Sequence, residues 1–467
     1  MNLPEKYMQR MRAALSDYSE YAAIFEKEPY KAVRANTLKV SPSEFSRVAP
    51  FPLEGGVPWA ENGFYISDER PGRSPLHDAG VFYVQEPSAM CAVPLLQIGK
   101  GDRILDLCSA PGGKGTQIAE LLQGTGVVLM NEKIPDRAKI LSRNVERLGI
   151  RNAVVTNEDP ETLAAAFPAY FDKILVDAPC SGEGMFRKEP AAIENWSEEN
   201  VAMCAARQDN ILRCAAAMLR GGGRLVYSTC TFSPEEDEEA VGRFLKSHPE
   251  FILERQEKLY PHRVRGEGHF AAALVKEGEG RGAVRRHWRK ADKRLVNLYR
   301  AFERDFLKTP LEGDFIAFGE TLYLVPEELF SLETLRVLRA GVCLGEHVKG
   351  RFEPDHALAM SVKTSDALCA EELSDRVNAY LKGEELSAQS AGRGYCLCTY
   401  MGFPLGLGKA SGGALKNRLP KGLRKFKIDK KKFPPQALPA AACFRFVRRY
   451  YLLSSSSDLS SASGSST

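Results

Sequence analysis

The chain has 467 residues, 64 basic and 60 acidic, for a formal net charge of +4. At 44% hydrophobic and 9% aromatic it can bury real cores, its length suits about two to four domains, and disorder as the main state is excluded. No apolar run reaches the roughly 18 residues a membrane helix needs. The start, Met1-Asn2-Leu3-Pro4-Glu5-Lys6, lacks the apolar core of a signal peptide. A soluble, cytoplasmic monomer is expected, and eleven cysteines, an odd number, fit reduced thiols better than a disulfide framework.

Five regions follow one another. Residues 1–70 mix prolines with short helical patterns, and 71–258 alternate strand-like and helix-like pieces. Residues 259–386 are arginine-rich near Arg281 to Arg294, 387–453 are rich in Gly and Lys, and 454–467 are almost all Ser, Gly, Ala and Thr. The last stretch cannot meet the entropy cost of folding and is predicted to be a disordered tail.

Within the second region Arg103 to Leu107 reads as a buried strand, followed by the loop Cys108-Ser109-Ala110-Pro111-Gly112-Gly113-Lys114-Gly115 and a helix from Thr116. Val127 to Met130 is another strand. A helix then places Ile134, Ala138, Leu141, Val145 and Leu148 at alternating steps of four and three, with Pro135 near its start and Gly149 past its end. Strands are predicted at Ala153–Thr156, Lys173–Val176 and Arg224–Ser228, the last after a long helix that stops at Gly221-Gly222-Gly223. This alternation predicts a parallel α/β sheet, covered on both faces.

In such a sheet the ligand lies beyond the carboxyl ends of the strands. The loop after the first strand has adjacent glycines, which let a ligand approach the backbone and meet amide N–H groups at a helix start. Glu132 follows the second strand, at a spacing suited to ribose hydroxyls. Asn157-Glu158-Asp159 follows the third and Asp177 the fourth. A phosphate-binding P-loop is excluded because Cys108 and Gly115 stand where it needs Gly and Ser/Thr, and the dinucleotide Gly-x-Gly-x-x-Gly pattern is absent. A nucleoside without pyrophosphate remains, with S-adenosylmethionine (SAM) as the candidate. Its carboxylate would meet the loop amides and Lys114, its ribose Glu132, and its adenine amine Asp159, with Glu158 and Asn157 as alternatives. No metal site is assigned.

Asp177-Ala178-Pro179-Cys180-Ser181-Gly182 follows the fourth strand and Thr229-Cys230-Thr231 the fifth, so two thiols and an acid face one crevice. A lone cysteine is more often a small buried hydrophobe, the reading given to Cys204, Cys214, Cys396 and Cys398. A paired thiol suits carbon 5 of cytosine, which attacks a sulfonium only after a thiolate has added to carbon 6. Asp177 is suited to stabilise charge developing in the ring, and a second thiol to assist product release. Either cysteine could fill either role on these grounds alone. The acidic run Glu235 to Glu239 reads as a solvated helix start.

Cys108 to Lys114, Asp177 to Gly184 and Ser228 to Thr231 resemble motifs of the Nop/Sun family of RNA cytosine-C5 methyltransferases, and Arg34-Ala35-Asn36-Thr37 and Tyr83 to Ser88 look like its preceding signatures. The resemblance covers roughly residues 30 to 245 and implies a Rossmann-like SAM-dependent core, with Cys230 as nucleophile and Cys180 aiding release. Gly115 and Ser109 depart from it, a hydroxyl residue and Ala being usual there. Toward the end, Gly394 to Leu397, Phe403 to Gly406, Lys416-Asn417 and Pro420 to Arg424 are similar to the PUA-like RNA-binding domain of the RsmF branch, whose members modify small-subunit ribosomal RNA. Independently, twelve basic residues against Asp429 between Lys416 and Arg449 give a local net of +11, leaving −7 for the rest. A phosphate-contacting surface is expected there, with residues 1–70 as a second RNA-binding region. The expected activity is cytosine-C5 methylation of 16S rRNA. Transfer RNA as substrate, an exocyclic-amine methyltransferase and a non-catalytic assembly factor are the alternatives.

Overall fold

The computed structural model describes residues 1–68, 70–280, 282, 290–327, 329–389 and 392–425. The disordered-tail expectation for 454–467 and the basic residues from Lys427 to Arg449 lie outside them.

Two short helices, Glu5–Ala14 and Tyr18–Ala23, precede an antiparallel sheet of β1 (Lys31–Ala35), β2 (Leu53–Val57), β3 (Ala60–Ile66) and β4 (Phe82–Val84), in the order β2-β3-β1-β4. The expected boundary at residue 70 therefore falls before the last strand of this unit.

The central sheet is built on β5 (Arg103–Asp106), β6 (Val127–Asn131), β7 (Ala153–Thr156), β8 (Phe171–Asp177) and β9 (Leu219–Thr229), all parallel. Every residue of β5, β6 and β7 is buried, as the uninterrupted apolar runs require of strands covered on both faces. The helix Pro135–Leu148 buries the predicted stripe of Ala138, Leu141, Val145 and Leu148, and ends where Gly149 takes φ +72°.

The sheet is larger than expected. β10 (Phe251–Leu259) and β11 (His269–Lys276) form a hairpin whose second strand pairs antiparallel with β9, so a boundary at residue 258 would cut the hairpin. The long helix ends at Met218, and Gly221 to Gly223 form an irregular entry to β9 where a Cβ at Gly221 would stand 2.9 Å from the backbone of Glu279. With β14 (Val337–Ala340) added on the other edge, the order is β10-β11-β9-β8-β5-β6-β7-β14.

Between these pieces, β12 (Asp314–Phe318) and β13 (Thr321–Val325) join β15 (Val342–Val348) and β16 (Arg351–Pro354) in a sheet of their own. The last sheet combines β17 (Ala370–Glu372), β18 (Leu386–Ser387), β19 (Gly394–Tyr400), β20 (Phe403–Ser411) and β21 (Ala414–Asn417). It starts before the expected residue 387 because β17 pairs with β19 across a long connection. The ends of the chain share one core, in which Val33, Phe45 and Phe82 pack with Tyr380, Cys396 and Leu405. Among the described residues no helix is long and apolar enough to cross a membrane.

Candidate active site at the switch point of the sheet

Strand order reverses between β5 and β8, where the chain leaves the sheet in opposite directions and opens a crevice at the carboxyl ends. The loops after β5, β8 and β9 meet there, and they carry most of the residues singled out in the sequence.

The β5 loop turns through Gly112 at φ +112° into the helix Gly113–Leu121. A Cβ at Gly112 would stand 2.9 Å from Leu141 Cδ1, and one at Gly113 would stand 3.4 Å from Tyr83 and Gln85, so the backbone is open because side chains are absent. Arg34 from β1 braces this helix from behind. It is fully buried, donates from Nε to Glu120 Oε2 at 3.0 Å and from Nη1 to the Gly113 carbonyl at 2.6 Å, and also bonds Gln85 and Thr116. Asn36 donates to the carbonyls of Gly80 and Leu148, at 2.8 and 2.9 Å. The two early signatures are thus structural clasps between the N-terminal sheet and the cofactor side of the core.

At the centre Lys114 Nζ lies 2.8 Å from Asp177 Oδ2, and Ser228 Oγ donates to Asp177 Oδ1 at 2.9 Å. Burial would raise the Asp177 carboxyl, but the Lys114 ammonium and the hydrogen bonds outweigh it and hold the group below its ordinary range. Lys114 is held above its ordinary value by Asp177 and, more weakly, by the nearby Cys230, against the burial that would lower it. Cys180 and Cys230 are both partly exposed, with their sulfurs 3.4 Å apart. The contact with the Cys230 sulfur, aided by burial, pushes the Cys180 thiol well up.

Glu132 is buried and accepts from the Ile134 N–H at 2.9 Å, with Arg137 at 3.2 Å; burial raises its carboxyl. Cys108, Ser109 and Ala110 line the loop with Pro111 exposed at its tip, and burial raises the Cys108 thiol well above its usual value. Asp159 stands apart from this buried group: its side chain is 43% exposed and paired with Lys133 at 2.8 Å. The adjacent Glu158 is buried and bound by Arg336 just before β14, while Asn157 donates to the carbonyls of Glu132 and Lys133. The departures at 109 and 115 are one adjustment: a Cβ at Gly115 would stand 2.5 Å from Ser109 Oγ, whose hydroxyl donates to Asp106 at 2.7 Å.

Sequence reasoning missed three residues. Asp106, the last residue of β5, is fully buried, and burial pushes its carboxyl up to about 7 against the Ser109 bond. Its position at the end of a buried strand was the available signal. His269 at the start of β11 is 2% exposed, its Nε2 lies 3.8 Å from Asp177, and neither ring nitrogen has a hydrogen-bond partner among the described residues. Burial, with Lys114, pushes it down to about 4, so the ring is neutral at physiological pH. No sequence signal marked it, because the hairpin was assigned elsewhere. The third is Glu236, in the acidic run expected to be a solvated helix start: Glu238 and Glu239 are exposed and do open a helix, but Glu236 and Asp237 are both fully buried.

Four matches run along the chain. Residues 93–275 match 16S rRNA methyltransferase RsmB/F, 3–87 the N-terminal domain of 16S rRNA methyltransferase RsmF, 301–362 its first C-terminal domain and 372–425 its PUA domain. Ribosomal RNA small subunit methyltransferase F of Vibrio vulnificus is 31% identical over 462 residues, spanning 90% of this chain and 97% of that protein. The chain belongs to the RsmF family of 16S rRNA methyltransferases.

The Klebsiella pneumoniae RsmF relative is 33% identical across 90% of this chain and 96% of its own length. Among solved structures, a methyltransferase homolog from Pyrococcus horikoshii aligns with TM-score 0.50 and 27% identity, covering 56% of this chain and 91% of that one. NSun6 from Pyrococcus horikoshii, solved with SFG, aligns with TM-score 0.53 at 21% identity over 59% of this chain and 99% of that one, a likeness of fold. As in the rest of the RsmF family, the methyl donor is S-adenosylmethionine. The residues fit it: the glycine cradle is open, and Asp106 Oδ1 and Gln85 Nε2 are buried without a hydrogen-bond partner among the described residues, as expected of groups that meet a polar ligand. The final unit is an RNA-binding PUA domain, and ribosomal RNA is the substrate.

Proposed function

We propose that this RsmF family member methylates carbon 5 of cytosine in 16S rRNA through a transient bond between Cys230 and carbon 6 of the base. The observation that carries the reading is the pair of sulfurs 3.4 Å apart beside a lysine-paired carboxylate at the ends of neighbouring strands. Methylation of an amine or hydroxyl has no use for two thiols, whereas carbon 5 must first be made nucleophilic.

SAM would supply a methyl group on a positively charged sulfur, and the residues that would hold it are the 108–114 loop, Glu132 for the ribose and Asp159 for the adenine. The Cys230 thiolate adds to carbon 6, and its electron pair moves the ring double bond so that carbon 5 becomes the nucleophile. Asp177, ionised beside Lys114, accepts a hydrogen bond from the 4-amino group at the ring edge, which orients the base and stabilises the ring as charge develops. Carbon 5 would take the methyl group as its bond to the sulfonium sulfur breaks, leaving neutral S-adenosylhomocysteine, after which a base removes the carbon 5 proton, a step that Cys180 assists. The carbon–sulfur bond then breaks, restoring aromaticity and returning the Cys230 thiolate.

The test is transfer of label from methyl-tritiated SAM to 16S rRNA, followed by digestion to nucleosides. Label in 5-methylcytidine is the expected result; label in an N4-methylated nucleoside, or none, overturns the reading.

A further inference from the structure

The acidic run after Cys230 folds underneath the thiol centre. Glu236 is fully buried, and its Oε2 accepts from the backbone N–H of Ser181 at 3.0 Å and from Gln208 Nε2 at 2.9 Å. Its Oε1 accepts from the Ser181 hydroxyl. That same hydroxyl lies 2.8 Å from Thr231 Oγ1. Ser181 directly follows Cys180 and Thr231 directly follows Cys230. Gln208 also donates to the carbonyl of Pro179, on the other side of Cys180, at 3.1 Å. One carboxylate therefore grips the loop of the first thiol from both sides and reaches the loop of the second through a single hydroxyl.

A surface acid at a helix start would need none of these partners. Three hydrogen bonds converging on one buried carboxylate, with a fourth from Ser181 to Thr231 joining loops 50 residues apart, place a rigid brace where the sulfur separation is decided.

We infer that Glu236 is a positioning residue of the two-thiol centre, setting the separation of the Cys180 and Cys230 sulfurs. The inference rests on the thiol chemistry proposed above. The groups that face Glu236 are Ser181, Glu183 and Cys180 from the loop after β8, Gln208 and Cys204 from the helix Glu198–Met218, Tyr227 from β9, and Asp237 beside it. Burial pushes the Glu236 carboxyl up to about 7 against the Ser181 and Gln208 hydrogen bonds, with Glu183 adding to the rise. Its charge therefore changes within the physiological range. Ionised Glu236 is a negative charge near the Cys180 sulfur and disfavours its thiolate.

Two RNA-free measurements on the full-length protein test this, so the outcome is separate from whether the parent makes 5-methylcytidine. The first is alkylation of Cys180 by iodoacetamide, resolved by peptide mass spectrometry between pH 5.5 and 9.5. In the parent the curve should inflect near pH 7. In Glu236→Gln the inflection should vanish and the rate above pH 7 should rise about tenfold, the size of a nearby charge in a partly buried site.

The second is closure of the Cys180–Cys230 disulfide by diamide, in which two thiols lose two electrons and two protons to the diazene. If the clamp sets the separation, Ser181→Ala, which keeps the Glu236 carboxyl, should close it about tenfold more slowly, as expected when reacting atoms lose their alignment. Far-UV circular dichroism and SAM affinity report folding. If Glu236→Gln does not fold, Ser181→Ala alone decides. A parent-like closure rate in Ser181→Ala, or a Glu236→Gln alkylation curve superimposable on the parent, overturns the assignment.

Discussion

Cys180 and Cys230 are 50 residues apart in the chain, yet their sulfurs lie 3.4 Å apart. The contact with Cys230, aided by burial, raises the Cys180 thiol, and the Lys114 ammonium that pairs with Asp177 also interacts with Cys230. The proposed roles differ accordingly, Cys230 adding to the base and Cys180 assisting release.

This division of labour predicts different failures for two substitutions. Cys230→Ala should abolish methyl transfer, with SAM affinity nearly unchanged because the cofactor loop is untouched. Cys180→Ala should leave addition intact and impair release, so a covalent protein–RNA adduct should accumulate and run as a slow band on a denaturing gel. An adduct formed by Cys230→Ala instead would reverse the roles.

Arg34 is a buried cation held by the Glu120 carboxylate, the Gly113 carbonyl, Gln85 and Thr116. Removing one member of a buried ion pair leaves the other charge without compensation. Arg34→Met should therefore lower stability by about 3–5 kcal/mol, read as a shift of the urea midpoint. Adding Glu120→Leu should recover much of the loss. A single-variant cost below about 1 kcal/mol would mean that the clasp contributes little.

The parts legible from sequence were those governed by local rules. The apolar runs of β5 to β7 and the stripe from Ala138 to Leu148 bury as their periodicity requires. The Cys108–Lys114 loop and the two thiols fall at strand ends, where a parallel sheet collects its ligands. What was not legible depends on pairing over long separations. β11 and β14 join the sheet by antiparallel contacts that no crossover pattern announces. Glu236 and Asp237 look solvated because acids usually are. They are buried because Ser181 and Gln208 bond the first, and Thr229 and Lys258 bond the second.

Asp106 makes the protein without cofactor sensitive to alkali in a defined direction. Its ordinary value of 3.8 applies when unfolded, and burial pushes it up to about 7 when folded. The folded state thus keeps a proton that the unfolded state releases, and stability present below 3.8 is lost progressively as pH rises toward 7. The full effect is at most about 4 kcal/mol. Thermal melts of the cofactor-free parent and Asp106→Asn at pH 5 and pH 8 should show a smaller change in the variant. His269, depressed to about 4, acts in the opposite direction between 4 and 6.5, but it is common to both proteins and cancels in the difference. Equal pH dependence in the two proteins would refute the account.

The described part of the basic segment holds two kinds of cation. Arg418 pairs with Glu353, Lys425 with Asp78 and Arg424 with the Leu419 carbonyl, so these serve the fold as well as any ligand. Lys416 and Lys421 are exposed. If they contact phosphate, Lys416→Gln and Lys421→Gln should each flatten the plot of log affinity for rRNA against log salt by about one. An unchanged slope for both would move the RNA contact elsewhere.

The edge strand β7 makes the C-terminal half necessary to the core. β14 covers it by pairing Val337 with Thr156 and Ala340 with Val154, while the Arg336 side chain and N–H hold Glu158 beside the proposed adenine site. A chain ended at residue 282 would leave the β7 backbone unpaired and release Glu158 from its cation. An open, apolar strand edge is a template for association. The truncated protein should therefore lose most of its soluble monomer on size exclusion, and any monomer recovered should bind SAM more weakly than the full chain. A monomeric fragment with undiminished SAM affinity would show that the other seven strands of the sheet suffice without β14.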